Sequence, residues 1–461
     1  MTLKKKYFGT KEFYIGALLL ALPVMGQNLV QNFVTLIDNF MVAGLGDIKM
    51  SGTSIAADYI FVFSVLLNAV CMSGGIFLTQ YFGAKDKHGM KQAVYFKSIL
   101  GLIITLIYLF ICLVIPRQAL SLMVIGNSDA EIILDEGVKY MKTMSLVGIP
   151  ALISYICSSS LKEIGEVKAP LIIAIGAALT NALFNYCLIY GHFGFPRLEV
   201  VGAAIATFIA RTVEMICYLV YIKKIKAPFA IKLKGFLHVN VKLIKEMAKT
   251  SVMIIVSELI WALVETITTA VYNSRGGADV VSGMCASFTI ANLYFVAFSG
   301  VNTAICVIIG KLLGEGKLEE AREKRRWLST GSIIFSLGVM IVAASTSLLV
   351  PIIYSNLSLS AQNICEEMVF YMALLMPTWI ILNVQLAISR SGGETKMGFI
   401  LDGIVNIVVV VPLVIILAKY TNIGPVGIYI ISKLVDVVKI IACYFYLKKE
   451  TWLVNLTVSN N

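Results

Sequence analysis

Among the polar side chains of the first apolar stretch, PVMGQNLVQNFVTLIDNFMVAGLG (residues 23–46), are Gln27, Gln31, Thr35 and Asp38. Their spacings of four, four and three put them on one face of a helix. Asn181 and Asn185 are likewise one turn apart in a later apolar stretch. Thr207 follows GAAIA (202–206), where its hydroxyl and local carbonyls can point to the same interior. A carboxylate, two carboxamide oxygens and a hydroxyl form a hard, all-oxygen set, which alkali cations prefer to sulfur or imidazole. One negative charge balances one monovalent cation, and Asp38 can also take a proton. An ionisable residue inside a membrane span is functional by default; the alternative is a permanent polar clasp between helices.

A second grouping lies in VSELIWALVET (256–266), where Glu258 and Glu265 are seven apart with Trp261 between them. A buried carboxylate beside an aromatic face suits an organic cation, through charge and cation–π attraction. Spacing does not choose between the two glutamates. Asp402 and Asn406, one turn apart, loosely echo the Asn181–Asn185 pair. Arg211 with Glu214, and Lys433 with Asp436, read as intrahelical pairs that lower the cost of burying charge. Asp58 is placed near a membrane surface. Pro23 and Pro377 are candidate hinges, although proline is ordinary in such helices.

The elements that must carry these residues follow from composition. The chain has 461 residues, 58% hydrophobic and 14% charged, with a mean hydropathy of +0.86. No soluble interior hides that much apolar surface, since domains split near ~250–300 residues. Apolar runs of about 20 residues, each able to cross ~30 Å of hydrocarbon, recur along the chain. Twelve spans are expected, centred near residues 28, 68, 104, 150, 180, 212, 260, 298, 338, 378, 408 and 436. The fold class is therefore an all-α polytopic membrane protein. Most of the 38 Lys and Arg fall in alternate loops, including AKDKHGMK, KLLGEGKLEEAREKRRW and the amino terminus with Lys4, Lys5, Lys6 and Lys11. That asymmetry marks cytoplasmic loops, with both termini inside a cell (inner) membrane, and removes nucleic acid as the reason for the +11 charge. The nine cysteines sit singly and read as packing residues. The first span is too long for a signal peptide.

The chain is doubled. LTQYFGAKDKHGMKQ (78–92) matches VIIGKLLGEGKLEEARE (307–323), pairing Gly83 with Gly314 at an offset of 231. SLKEIGEVKAP (160–170) matches ISRSGGETKMG (388–398) at an offset of 228, pairing Lys162 with Arg390, Gly165 with Gly393 and Lys168 with Lys396. Two pseudo-symmetric six-helix lobes are expected, residues 1–222 and 249–461, joined by a cytoplasmic linker, 223–248. Each half has an even number of spans, so the halves share orientation, an arrangement used by secondary transporters.

This doubled loop pattern, the first span quoted above and TNALFNYCLIYGHFGFPRLEVVGAAIAT (180–207) together resemble the multidrug and toxic compound extrusion (MATE) family over essentially the whole chain. The resemblance implies twelve helices in two lobes, a central cavity, and export of organic compounds against inward flow of H+ or Na+. It also implies an amino-lobe cation site at Asp38, Asn181, Asn185 and Thr207, with the backbone oxygen of Ala203. Some members carry Asp where this chain has Asn185, which leaves one titratable group here and argues against a two-proton cycle. Sodium-type members carry a seventh-span Glu and a tenth-span Asp; Trp379 stands at the latter place.

The expected function is a Na+- or H+-coupled antiporter working by alternating access. Its substrate cavity is expected to draw on Gln27, Gln31, Thr35, Glu258, Trp261 and Glu265, and its cargo to be organic and cationic. It is expected to be monomeric in membrane lipid and to use no cofactor beyond the coupling ion. The alternative is a lipid-linked saccharide flippase of the same superfamily, which the acidic cavity candidates disfavour. An enzyme is the weakest reading. His88, His192 and His238 lie far apart in loops, and no HExxH, GxSxG or GxxxxGK[ST] pattern occurs.

Overall fold

A run of some 20 apolar residues in hydrocarbon must satisfy its own backbone, and the helix does so within one segment. The computed structural model describes residues 7–124, 129–232, 235–236 and 239–458; Lys4, Lys5, Lys6 and four positions of the expected linker, His238 among them, lie outside them. Among the described residues no strand occurs, and twelve long helices account for the twelve expected spans. They are α1 Lys11–Ala43, α2 Asp47–Gly83, α3 Lys87–Val114, α4 Ala130–Glu163, α5 Lys168–Tyr190 and α6 Glu199–Lys224. The second set is α7 Val241–Asn273, α8 Ala278–Gly314, α9 Leu318–Ser347, α10 Leu359–Ser391 and α11 Lys396–Tyr420, followed by α12 Pro425–Lys448. The first eleven are long and apolar enough to cross a bilayer. The twelfth carries Lys433, Asp436 and Lys439 through its middle.

The doubling is visible in the helices themselves. α1 and α7 are both 33 residues long, and α2 and α8 are both 37. α11 departs from regular winding: it is π-helical over Phe399–Ile404 and again over Asn406–Val410. α4 is interrupted by one 3-10 turn, Ser145–Val147, shortly before Pro150.

Contacts divide the chain into two units. The amino-terminal unit comprises residues 26–78 and 87–248. In it the segment after α6 docks on α3, with Tyr95 donating to the Lys232 carbonyl at 3.2 Å and Gln92 accepting from the Asn240 amide at 3.0 Å. The carboxy-terminal unit comprises residues 1–25, 79–86 and 249–461. The start of α1 belongs to it because Phe13 packs edge-on to Trp327 and Met25 fills the space that a side chain at Gly300 would need. The end of α2 belongs to it because glycines let backbones touch. A Cβ at Gly83 would stand 2.1 Å from the Lys311 carbonyl oxygen, and one at Gly314 1.9 Å from that of Gln80. Small residues at such crossings substitute for the missing hydrophobic drive between helices in lipid.

Most of the nine cysteines are buried and all are free, as packing residues would be.

Candidate cation site

In the amino-terminal unit α5 and α6 form a tight pair, and their sequence explains it. α5 ends at Gly191, which takes the left-handed conformation at φ +79° and closes the helix. The turn brings the Leu198 amide back to the Leu188 carbonyl at 2.8 Å. α6 then leaves along α5 with Gly202 against it, where a Cβ would lie 2.5 Å from the Leu188 oxygen. Ala203, Ala204 and Ala206 are buried in the same turn. α1 is held alongside by Tyr190, whose hydroxyl donates to the Met41 carbonyl at 2.9 Å, and by the packing of Val42 with Ile189 and Ala203.

These contacts bring one polar side chain from α1, two from α5 and one from α6 together. The Asn185 amide donates to Asp38 Oδ1 at 2.5 Å and to Asn181 Oδ1 at 3.0 Å. Asn181 donates to the Thr207 hydroxyl at 3.4 Å, and Thr207 donates to the Ala203 carbonyl at 3.0 Å. Asp38, Asn181, Asn185, Thr207 and Ala203 thus form one connected cluster. Both asparagines are buried, and Asn185 Oδ1 is buried without a hydrogen-bond partner. Leaving a buried acceptor unpaired costs about 1–3 kcal/mol, so this orphan oxygen beside a carboxylate fits a cation. Arg211, one turn beyond Thr207, spends its charge on Glu214 at 2.7 Å within α6. Among the described residues no grouping of three or more His, Cys, Asp or Glu could hold a metal ion. The donor chemistry here is that of amide, hydroxyl and carbonyl oxygens around a single acid.

The other expected positions spread more widely. Gln27 is buried and donates to Ser158 on α4 at 3.2 Å, with its own Oε1 unpartnered. Thr35 is exposed and donates along its helix to the Gln31 carbonyl. Glu258 accepts from Arg390 on α10 at 3.5 Å, so an internal cation already faces it. Trp261 is exposed on α7, and Glu265 is partly buried. Asp58 is exposed.

The expected pairing of Lys433 with Asp436 is corrected. Asp436 binds Lys439, three residues on, at 2.8 Å. The Lys433 ammonium lies 4.3 Å from the centroid of the Trp379 ring instead. Trp379 donates its indole N–H to Asp436 Oδ2 at 3.0 Å, which turns that carboxylate toward Lys439. Lys439 also reaches Asp402 and Asn406. Reading the chain one helix at a time missed this lysine's role. The available signal was a second ion-pair partner for Asp436 at the same three-residue spacing, on the opposite side.

Comparison with known proteins places these arrangements in context. The MatE family model matches residues 23–187 and again 254–416. The chain is 23% identical over 331 residues to a probable multidrug resistance protein NorM of Thermotoga maritima, covering 70% of this chain and 68% of the relative. It is 24% identical over 335 residues to the uncharacterized transporter YisQ of Bacillus subtilis, covering 73% and 71%. Among solved structures it is similar to an outward-facing multidrug resistance MATE family transporter of the MOP superfamily. There the TM-score is 0.83 at 18% identity, over 94% of this chain and 95% of that one.

Proposed function

Because the chain belongs to the MATE family of multi-pass membrane transporters, and is therefore no enzyme, we propose that it is a cation-coupled antiporter that exports organic cations. Asp38 is the exchange group, and Asn181, Asn185, Thr207 and the Ala203 carbonyl complete its shell. The observation that carries this reading is the buried Asn185 Oδ1, unpartnered beside the one carboxylate of the cluster. Na+ would accept that oxygen together with Asp38 and the neighbouring oxygens, and H+ would compete for Asp38 itself. Both termini face the cytoplasm of a cell membrane, and the monomer is the working form.

Coupling requires that the ion bind the outward-open and inward-open forms unequally. A cation at Asp38 changes the relative stability of those forms, and cargo is released outside as the preference shifts. The amide and hydroxyl oxygens position the ion, and the single acid sets the charge moved.

The test is purified protein in liposomes loaded with a fluorescent organic cation, with Na+ and pH gradients imposed separately. Efflux is expected to accelerate with at least one inward gradient and to fall to background in Asp38→Asn. Undiminished efflux by a correctly folded Asp38→Asn protein would end the proposal.

A further inference from the structure

The carboxy-terminal unit holds an arrangement that repeats parts of the Asp38 cluster and differs in what occupies it. Asp402 and Asn406 are four apart on α11, as Asn181 and Asn185 are on α5. In both pairs the later amide donates to the earlier side chain, Asn406 to Asp402 Oδ1 at 3.3 Å and Asn185 to Asn181 Oδ1 at 3.0 Å. The next helix adds an oxygen each time, Thr207 on α6 and Asp436 on α12; their separation of 229 falls within the register of the repeat, whereas the α11 pair stands 221 from the asparagines, about two turns off it, so the likeness is one of donor chemistry rather than of aligned positions. The difference is the occupant. Asn185 Oδ1 has no partner, whereas Asn406 Oδ1 accepts from Lys439 Nζ at 2.5 Å.

The same ammonium reaches Asp436 Oδ1 at 2.8 Å and Asp402 Oδ1 at 3.3 Å. An ammonium has three N–H donors and no acceptor, so three oxygens use it fully. Its side chain is only 3% exposed. Both α11 residues lie in the π-wound stretches, and such windings recur at functional sites.

We propose that Asp402, Asn406 and Asp436 form a second alkali-cation site, the counterpart of the Asp38 cluster, which Lys439 fills permanently with its own tethered cation. On the reading of Asp38 given above, ion exchange is then confined to the amino-terminal unit, one cation per cycle. Lys439 offsets one of the two negative charges. Without Lys439 two carboxylates would face each other through an amide in an apolar setting, a costly state when a buried partner is removed. An alkali cation entering the vacated place would relieve it.

The experiment uses full-length protein in nanodiscs, in an Asp38→Asn background that silences the first cluster. Thermal unfolding is followed with Na+ replaced stepwise by N-methylglucamine at constant ionic strength. The Asp38→Asn protein alone is expected to be insensitive to the exchange. With Lys439→Met added, the midpoint should be lower without Na+ and rise saturably by several degrees with it. A third change, Asp402→Asn, should remove that rise. A folded Lys439→Met protein indifferent to Na+ overturns the proposal. If that variant does not fold, sodium-22 binding to the native sequence decides: binding that survives Asp38→Asn but is lost in Asp402→Asn overturns it, and binding lost in Asp38→Asn alone supports it. Transport that persists in Asp38→Asn would instead defeat the function proposed above and leave the Lys439 comparison intact.

Discussion

At the residue scale, the Asp38 cluster separates the atom that carries charge from the atoms that hold position. Asn185 does both jobs of an amide, donating to Asp38 and Asn181 while its oxygen faces no partner. If Na+ is the coupling ion, Asn185→Ala should therefore raise the half-saturating Na+ concentration for transport about tenfold, near 1.4 kcal/mol, with the variant still folded by size-exclusion chromatography. A pH effect is expected well away from this site. Glu450 accepts both arms of Arg322 at 2.7 Å, and these hydrogen bonds hold its carboxyl below the usual value of 4.5. A depressed carboxyl contributes stability above its unfolded value and loses it as pH falls through the folded one. The gap in melting temperature between native and Glu450→Gln should thus be present at neutral pH and close below about pH 4.5; it should be small, because exposed pairs contribute about 0–1 kcal/mol.

At the element scale, the α5–α6 pair is the device that fixes the cluster, and its key contact is backbone against backbone at Gly202. Gly202→Ala forces a shift of α6 and should cost about 1–3 kcal/mol, read as a lower melting temperature, while dragging Ala203 and Thr207 off the cluster and slowing transport. Gly176→Ala on α5 is the matched control: a Cβ there meets nothing within 4 Å, so the change should be neutral or stabilising by ~0.5–1 kcal/mol. The helices α2 and α8 use the same device where Gly83 and Gly314 meet carbonyl oxygens.

At the scale of the whole molecule, the charge bias of the loops makes a prediction about sides. In a cysteine-free background, Phe193→Cys in the α5–α6 turn should react with an impermeant maleimide on intact cells, and Lys317→Cys in the α8–α9 turn only after permeabilisation. Both positions are exposed, so labelling reports side rather than burial; the reverse pattern would invert the proposed topology. Much of this architecture was legible because hydropathy writes spans directly and because Gly83 and Gly314, or Gly165 and Gly393, keep register over more than two hundred residues. The Asp38 set was legible for a similar reason: helical spacing fixes which side chains share a face, and it separates Gln27, Gln31, Thr35 and Asp38 from Asn28, Asn32 and Asn39 in the same run. The carboxy-terminal ion pairs were not, because Lys439 reaches across from α12 to α11, whose π winding changes which residues face a neighbour. Spacing along one helix carries no information about such a crossing.

The length shared by α2 and α8, 37 residues each, reaches further than the bilayer. At about 1.5 Å per residue each rod is ~55 Å long, some 10 Å more than a membrane measured across its headgroups, and a tilt of ~20° shortens its reach along the normal only to ~52 Å. The turns that follow them, with Lys85 and Asp86 on one and Glu315 and Lys317 on the other, would then stand in water as rigid handles. An antibody fragment raised against either turn should grip the protein without touching lipid, and so serve as an alignment marker for electron microscopy of a particle otherwise hidden in its nanodisc.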